Sequence, residues 1–210
     1  MKNNITTTAE TARLNPQQLL DRITFRLLNH EQASALLEER PAVLMGDLCL
    51  LFQFDLQHEP GYSRILPVSN TLLAELGLSA RELLQLAREN TQRLHPAVIE
   101  TMEARLGLPD ASSEQPTLLV ITNPSNFYGA GTILYPGIGK QIAKRLQTED
   151  FLILPSSIHE VLAVPRSVCS DIETLRNMVH EINENEVAPD ERLSDNVYEL
   201  RHQRLLPVIS

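Results

Sequence analysis

The sequence predicts an α+β fold: a mixed β-sheet covered by amphipathic helices, with a β-α-β unit in the C-terminal half and an N-terminal helical segment. Three observations lead there. The apolar runs Leu118 to Thr122, Phe151 to Leu154 and Val161 to Val164 have the length and composition of interior strands. Between the first two, Ile138, Ile142 and Leu146 recur at helical spacing, which makes the whole stretch long enough for a crossover connection. In the N-terminal half the apolar residues recur mainly at the helix period and follow capping signatures.

Taken in order, residues 1–14 are polar and Thr-rich and are expected to be a flexible N-terminus. Residues 15–210 are expected to form one domain, with a helical half (15–107), a polar connector (108–116) and a sheet-forming half (117–210). Asn15-Pro16-Gln17-Gln18 reads as a helix start, with Leu19, Ile23 and Leu27 as its apolar stripe. A second helix over Gln32 to Glu39 turns Leu36 and Leu37 inward and stops at Pro41.

Val43 to Phe54 holds two apolar runs around Gly46-Asp47, the pattern of a hairpin, and Gln57 to Pro67 reads as a loop. Helices follow from Ser69 to a Gly77 stop and from the capping box Ser79-Ala-Arg-Glu82. The second carries Leu83, Ala87, Asn90 and Leu94 on one face. Asn90 on an apolar face needs a hydrogen-bond partner, and a loop backbone is the expected one. A helix restarts at Pro96 through Ile99, Met102 and Leu106. After the strands near 151–154 and 161–164, a capping box at Ser170 opens a helix with the stripe Ile172, Leu175, Val179 and Ile182. An acidic loop then leads to a terminal hairpin over 197–208.

Composition excludes several functions. Over 210 residues, 42% are hydrophobic and 21% charged, as in globular proteins. A formal net charge of -9 and a pI near 5.1 give a field that repels nucleic-acid backbones and anionic membrane surfaces. Only 4% of residues are aromatic and none is Trp, which leaves no platform for stacking bases. Neither nucleic acid nor membrane is therefore an expected partner. Cys49 and Cys169 are far apart and lack zinc-ligand spacing, so a reducing cytoplasm fits best and Cys49 reads as a small buried hydrophobe. With no signal-type apolar segment and no run near the roughly 20 apolar residues that span a bilayer, the expectation is a soluble, unprocessed, acidic cytoplasmic protein.

No cofactor or metal is expected, because each familiar motif breaks off. Gly129-Ala-Gly131 after a strand has Leu134 where a dinucleotide loop needs its third glycine, and Gly139-Lys140 is followed by Gln141 rather than Ser or Thr. The His-Glu pairs at 58, 159 and 180 have Tyr62, Ala163 and Glu184 where a zinc peptidase needs its second histidine. Ser156-Ser157-Ile158-His159-Glu160 contains the residue types of a hydrolytic triad without a nucleophile elbow. In an extended chain Ser157 and His159 share a face while Glu160 points away.

If a crossover makes the strands at 118–122 and 151–154 parallel, the loops at their C-terminal ends emerge side by side. Asn123, Tyr128, Ser156, Ser157, His159 and Glu160 then form the candidate polar pocket. The expected function is a non-catalytic module binding a protein partner or small ligand. The alternative is a hydrolase or transferase using Ser157 and His159 with Asn123 and Tyr128. Neither the oligomeric state nor a catalytic role follows from the residues.

The strings Ile121-Thr-Asn, Phe127-Tyr-Gly-Ala, Ile133-Leu-Tyr-Pro-Gly, Phe151-Leu-Ile-Leu-Pro-Ser-Ser-Ile-His-Glu-Val-Leu and Val187-Ala-Pro-Asp-Glu-Arg-Leu-Ser-Asp-Asn-Val-Tyr carry a resemblance. They are similar to a family of bacterial proteins of unknown function, met often in gut-dwelling Firmicutes. The helix with Ala87-Arg-Glu-Asn90 is similar too. The resemblance implies membership without an activity, so no catalytic residue carries over.

Overall fold

Strand β1 (Ile23–Asn29) buries Ile23, Phe25 and Leu27 on one side and turns Thr24 and Arg26 to the other. The computed structural model describes residues 16–59, 62–108, 118–168 and 171–209. The expectations for residues 1–14, the Asn15 cap, the turn at 60–61, most of the connector, Cys169 and the Ser170 cap lie outside the described residues.

β1 pairs antiparallel along its length with β3 (Leu48–Glu59). On the other edge of β3 lie β2 (Ala42–Met45) and, further along, β4 (Tyr62–Pro67), closing a four-stranded sheet. Short helix α1 (Pro16–Leu20) precedes β1, and α2 (His30–Leu37) follows it, its first turn capped by the Asn29 carboxamide oxygen. α2 covers one face of this sheet through Ala33 packed with Cys49 and Leu51. Burial pushes the Cys49 thiol up to about 11, so it behaves as a buried hydrophobe.

The second sheet has six strands: β5 (Val98–Thr101), β6 (Leu119–Thr122), β7 (Phe151–Leu154), β8 (Val161–Pro165), β9 (Tyr198–Arg201) and β10 (Arg204–Pro207). Their order is β10-β9-β7-β8-β6-β5, and all neighbours are antiparallel. β6 and β7 both oppose β8, which lies between them, so they run parallel to each other without touching. The connection from β6 to β7 passes through the 3-10 helix Gly129–Leu134 and α6 (Ile138–Leu146). The fold is α+β, with two antiparallel sheets in place of one mixed sheet.

The remaining helices are α3 (Asn70–Glu75), α4 (Ala80–Leu94), α5 (Met102–Arg105) and α7 (Ile172–Glu186). One hydrophobic cluster joins the inner faces of both sheets through Ile133, Leu134, Ile138 and Ile142 of the crossover and Leu83 and Ala87 of α4. The far face of the second sheet packs Leu152, Leu154 and Val164 against Leu175 and Val179 of α7.

Where local reading and structure differ, tertiary pairing decides. Residues 15–107, expected to be helical apart from one hairpin and a loop at 57–67, also supply β1, β4 and β5; the loop reading gives way because β3 runs to Glu59 and β4 begins at Tyr62, paired antiparallel with it. Ile23 and Leu27 are four apart, a spacing shared by helix and strand; Phe25, buried between them, separates the two cases. The helix expected through Ile99 begins only at Met102, where the Thr101 hydroxyl accepts from the Ala104 N–H, because Val98 to Thr101 pair with β6. In α7, Ile182 is exposed and Asn183 is buried in its stead, its amide nitrogen donating to the Ser194 carbonyl and the Asp195 carboxylate.

β1 is an edge strand inside the core, and α4 supplies partners on its free side. The Asn90 amide donates to the carbonyls of Leu20 (2.7 Å) and Ile23 (3.0 Å), and the Thr91 hydroxyl accepts from the Phe25 N–H at 3.1 Å. Replacing Asn90 by Ala, or Thr91 by Val, leaves buried backbone groups without partners. Each change is expected to lower stability by about 1–3 kcal/mol, read from the shift in urea midpoint. At the surface, the Asp195 carboxylate accepts a 2.7 Å hydrogen bond from His180 and holds its pKa above the ordinary imidazole value. Because the folded value is raised, the contact favours the fold below the unfolded pKa and fades as pH rises through the folded one. A histidine NMR titration should show His180 shifting down in Asp195→Asn.

Candidate functional site

The loop after β6 and the segment after β7 lie side by side, as the parallel relation of those strands requires. The Ala130 N–H donates to the Ile158 carbonyl (3.3 Å) and the Thr122 hydroxyl to the His159 carbonyl (2.9 Å). Gly129 makes this approach possible. A Cβ there would stand 2.6 Å from the His159 carbonyl oxygen and 2.8 Å from the Asn123 nitrogen, and would also meet the Thr122 hydroxyl.

The two loops bring the candidate residues into one region, but their polar atoms serve largely to hold the loops. The Asn123 carboxamide oxygen accepts from Ser125 N–H and hydroxyl (3.1 and 2.8 Å) and from the Phe127 N–H, while its nitrogen donates to the Phe127 carbonyl (3.0 Å). Ser156 offers its carbonyl to Leu193 N–H, and the Ser157 hydroxyl accepts from the His159 backbone N–H at 3.1 Å. Glu160 pairs with Arg105 at 2.6 Å, and Arg105 also reaches Glu100 and Asn126.

His159 is held at both ring nitrogens. Nδ1 accepts from the Tyr128 N–H (3.2 Å), which places the ring proton on Nε2, 3.2 Å from a Glu191 carboxylate oxygen. The ring packs at 5.2 Å from Phe127 and 5.8 Å from Tyr128. Its job in this geometry is positional. Tyr128 has φ of 52°, in the left-handed region that a non-glycine residue adopts at a cost, and the His159 acceptor helps fix it there.

Tyr128 in turn borders a second group of residues that the sequence reading did not single out. Its ring lies 4.0 Å from the Arg26 guanidinium carbon, a cation-π arrangement. Arg26 Nε donates to the Gln53 side-chain oxygen, and burial, the largest influence, lowers the pKa of the guanidinium. Arg26, Tyr128 and Asn123 line a small polar crevice with Asp55, His95 and Thr132. Asp55 is only 3% exposed, and its Oδ2 lies 2.6 Å from His95 Nε2. Its other oxygen, Oδ1, and the hydroxyl of Thr132, which is 1% exposed, are buried without a hydrogen-bond partner among the described residues.

A sequence signal for this crevice did exist. Cys49, Leu51, Gln53 and Asp55 lie on one face of β3, so Asp55 is a carboxylate on a face that begins apolar. Asp55 became informative only once His95, forty residues away in sequence, reached it from the end of α4.

Among the described residues, no group of three or more His, Cys, Asp or Glu side chains could hold a metal ion, and no helix is long and apolar enough to cross a membrane. Fold and site thus define an α+β protein of two antiparallel sheets with a polar crevice where the first sheet meets the loop leaving β6. The chain belongs to DUF5688, a family of unknown function, whose model matches residues 2–202. No curated protein and no solved structure matches it.

The close approach at Gly129 yields a direct test. Gly129→Ala must push apart backbone atoms of both loops and is expected to cost about 1–3 kcal/mol. The backbone amide signals of Tyr128 and Ala130 should move with it, as read by NMR on the folded fraction.

Proposed function

We propose that this protein is a non-catalytic binding module and that the crevice between Arg26, Asp55, His95, Tyr128 and Thr132 is its ligand seat. The observation that carries this reading is the buried Asp55 carboxylate, bonded to His95 through one oxygen and left without a partner among the described residues at the other. Such an atom calls for an account, and a bound polar ligand is one that fits it. Opposite charges on Arg26 and Asp55 line the same small space, which suits recognition of a small polar molecule better than a broad protein surface. A reducing cytoplasm suits the free, buried thiol of Cys49.

The hydrolase or transferase alternative draws on Ser157, His159, Asn123 and Tyr128. It has less support, because His159 Nδ1 takes a backbone N–H, Nε2 faces Glu191, and the Ser157 hydroxyl accepts from a backbone N–H. A fragment screen read by amide NMR shifts separates the two. Binding at the crevice should move Arg26, His95 and Thr132. Shifts confined to Ser157 and Glu191, or ester or phosphoester turnover that disappears in Ser157→Ala, would favour the enzyme.

A further inference from the structure

The crevice carries more than a location, because both of its unmet atoms can accept a hydrogen bond. Asp55 Oδ1 belongs to a carboxylate that accepts hydrogen bonds and, when ionised, donates none; the Thr132 hydroxyl can accept as well as donate. Both atoms are buried and lack partners among the described residues, and both residues line the same space. We propose that they are the acceptors for a primary ammonium group, so that the ligand is a small amine or a free amino acid. This rests on the reading of the crevice as a ligand seat.

Charge and size select the group. A buried carboxylate is best complemented by a cationic donor, since hydrogen bonds between ionised partners are the stronger ones. Arg26 does not fill that role: its Nε donates to Gln53 and its guanidinium lies against the Tyr128 ring. His95 meets Asp55 at Oδ2, which leaves Oδ1 to the ligand. The crevice is narrow, with a volume of about 20 Å³, enough for a water-sized group. An ammonium head fits such a space. A metal ion is a poor match, because the described residues offer no set of three ligating His, Cys, Asp or Glu side chains. A lone anion would meet Arg26 but be repelled by Asp55. The rest of the ligand projects toward the mouth, where Arg26 can meet a carboxylate if the ligand carries one.

Isothermal titration of the full chain at neutral pH and constant ionic strength tests the idea with four probes: methylammonium chloride, glycinamide, glycine and N-acetylglycine. Saturable binding is expected for the amines and none for N-acetylglycine, whose nitrogen is an uncharged amide. Asp55→Asn should weaken amine binding by about tenfold or more, the loss expected for a charge-assisted hydrogen bond. Thr132→Val should weaken it less while leaving the fold intact, because the hydroxyl it removes has no partner to lose. That variant keeps the test decisive should Asp55→Asn fail to fold. Glycine binding more tightly than glycinamide identifies a free amino acid as the source of the ammonium; the reverse order identifies a simple amine. The proposal is overturned if no amine binds, if N-acetylglycine binds as well as glycinamide, or if folded Thr132→Val keeps full affinity. Should fragments still shift crevice amides while every amine fails, the ammonium assignment falls and the ligand seat stands. Should no compound shift them, the ligand seat falls too.

Discussion

The free edge of β1 is the constraint on which much of this architecture depends. The strand order leaves one side of β1 unpaired, yet Ile23, Phe25 and Leu27 are buried, so its backbone groups cannot rely on water. α4 supplies two of the missing partners from Asn90 and Thr91, and the Thr91 hydroxyl meanwhile donates to the Ala87 carbonyl at 2.5 Å. The 3-10 helix closes on the same edge. Gly131 allows this, because a Cβ there would stand 2.9 Å from the Phe25 ring. Tyr135 then locks the helix end to α4, with its hydroxyl 3.1 Å from the Thr91 carbonyl and 2.9 Å from that of His95. Its buried phenol is held well above the ordinary tyrosine pKa and stays protonated to donate.

That arrangement also sets where polar chemistry can sit. On the outer face of the first sheet, α2 covers Cys49 and Leu51. Thr24, Arg26, Gln53 and Asp55 share that face by strand register and border the crevice. His95 reaches it because it caps α4, whose place is fixed by the β1 edge. Tyr128 reaches it from the loop after β6, and His159 holds the Tyr128 backbone from behind. The Ser-Ser-Ile-His segment therefore contributes to the crevice through support.

The C-terminal segment adds a second tie between the sheets. Asp47, in the turn between β2 and β3, accepts from the hydroxyls of Ser194 and Tyr198 and from the Asn196 amide. Burial first, and then the hydrogen bond to Asp47, raise the Tyr198 pKa well above the ordinary phenol value. Asn29, at the end of β1, donates to the Leu193 carbonyl at 2.7 Å. The acidic loop of the sequence reading is thus in part helix α7 and in part a strap whose polar groups meet the first sheet.

By itself the sequence determined the features whose causes are local. The capping box at Ser79 and Glu82 forms with both of its hydrogen bonds, the left-handed Gly77 ends α3, and Ile138, Ile142 and Leu146 face inward from α6. The apolar runs at 119–122, 151–154 and 161–165 are strands for the same reason: only an interior position suits them. The buried Asn90 announced its need for a backbone partner, though not that the partner would include a strand edge. Tertiary structure decided what required knowledge of distant neighbours. Ile23 and Leu27 fit a helix until β3 pairs with them, and Val98 and Ile99 fit one until β6 does. Ile182 and Asn183 compete for one face of α7, and the hydrogen bonds of Asn183 to Ser194 and Asp195 settle it. The crevice belongs to this second kind. Arg26, Asp55, His95 and Thr132 come from four separate elements, and no local pattern records that a carboxylate in a strand will meet a histidine at a helix end.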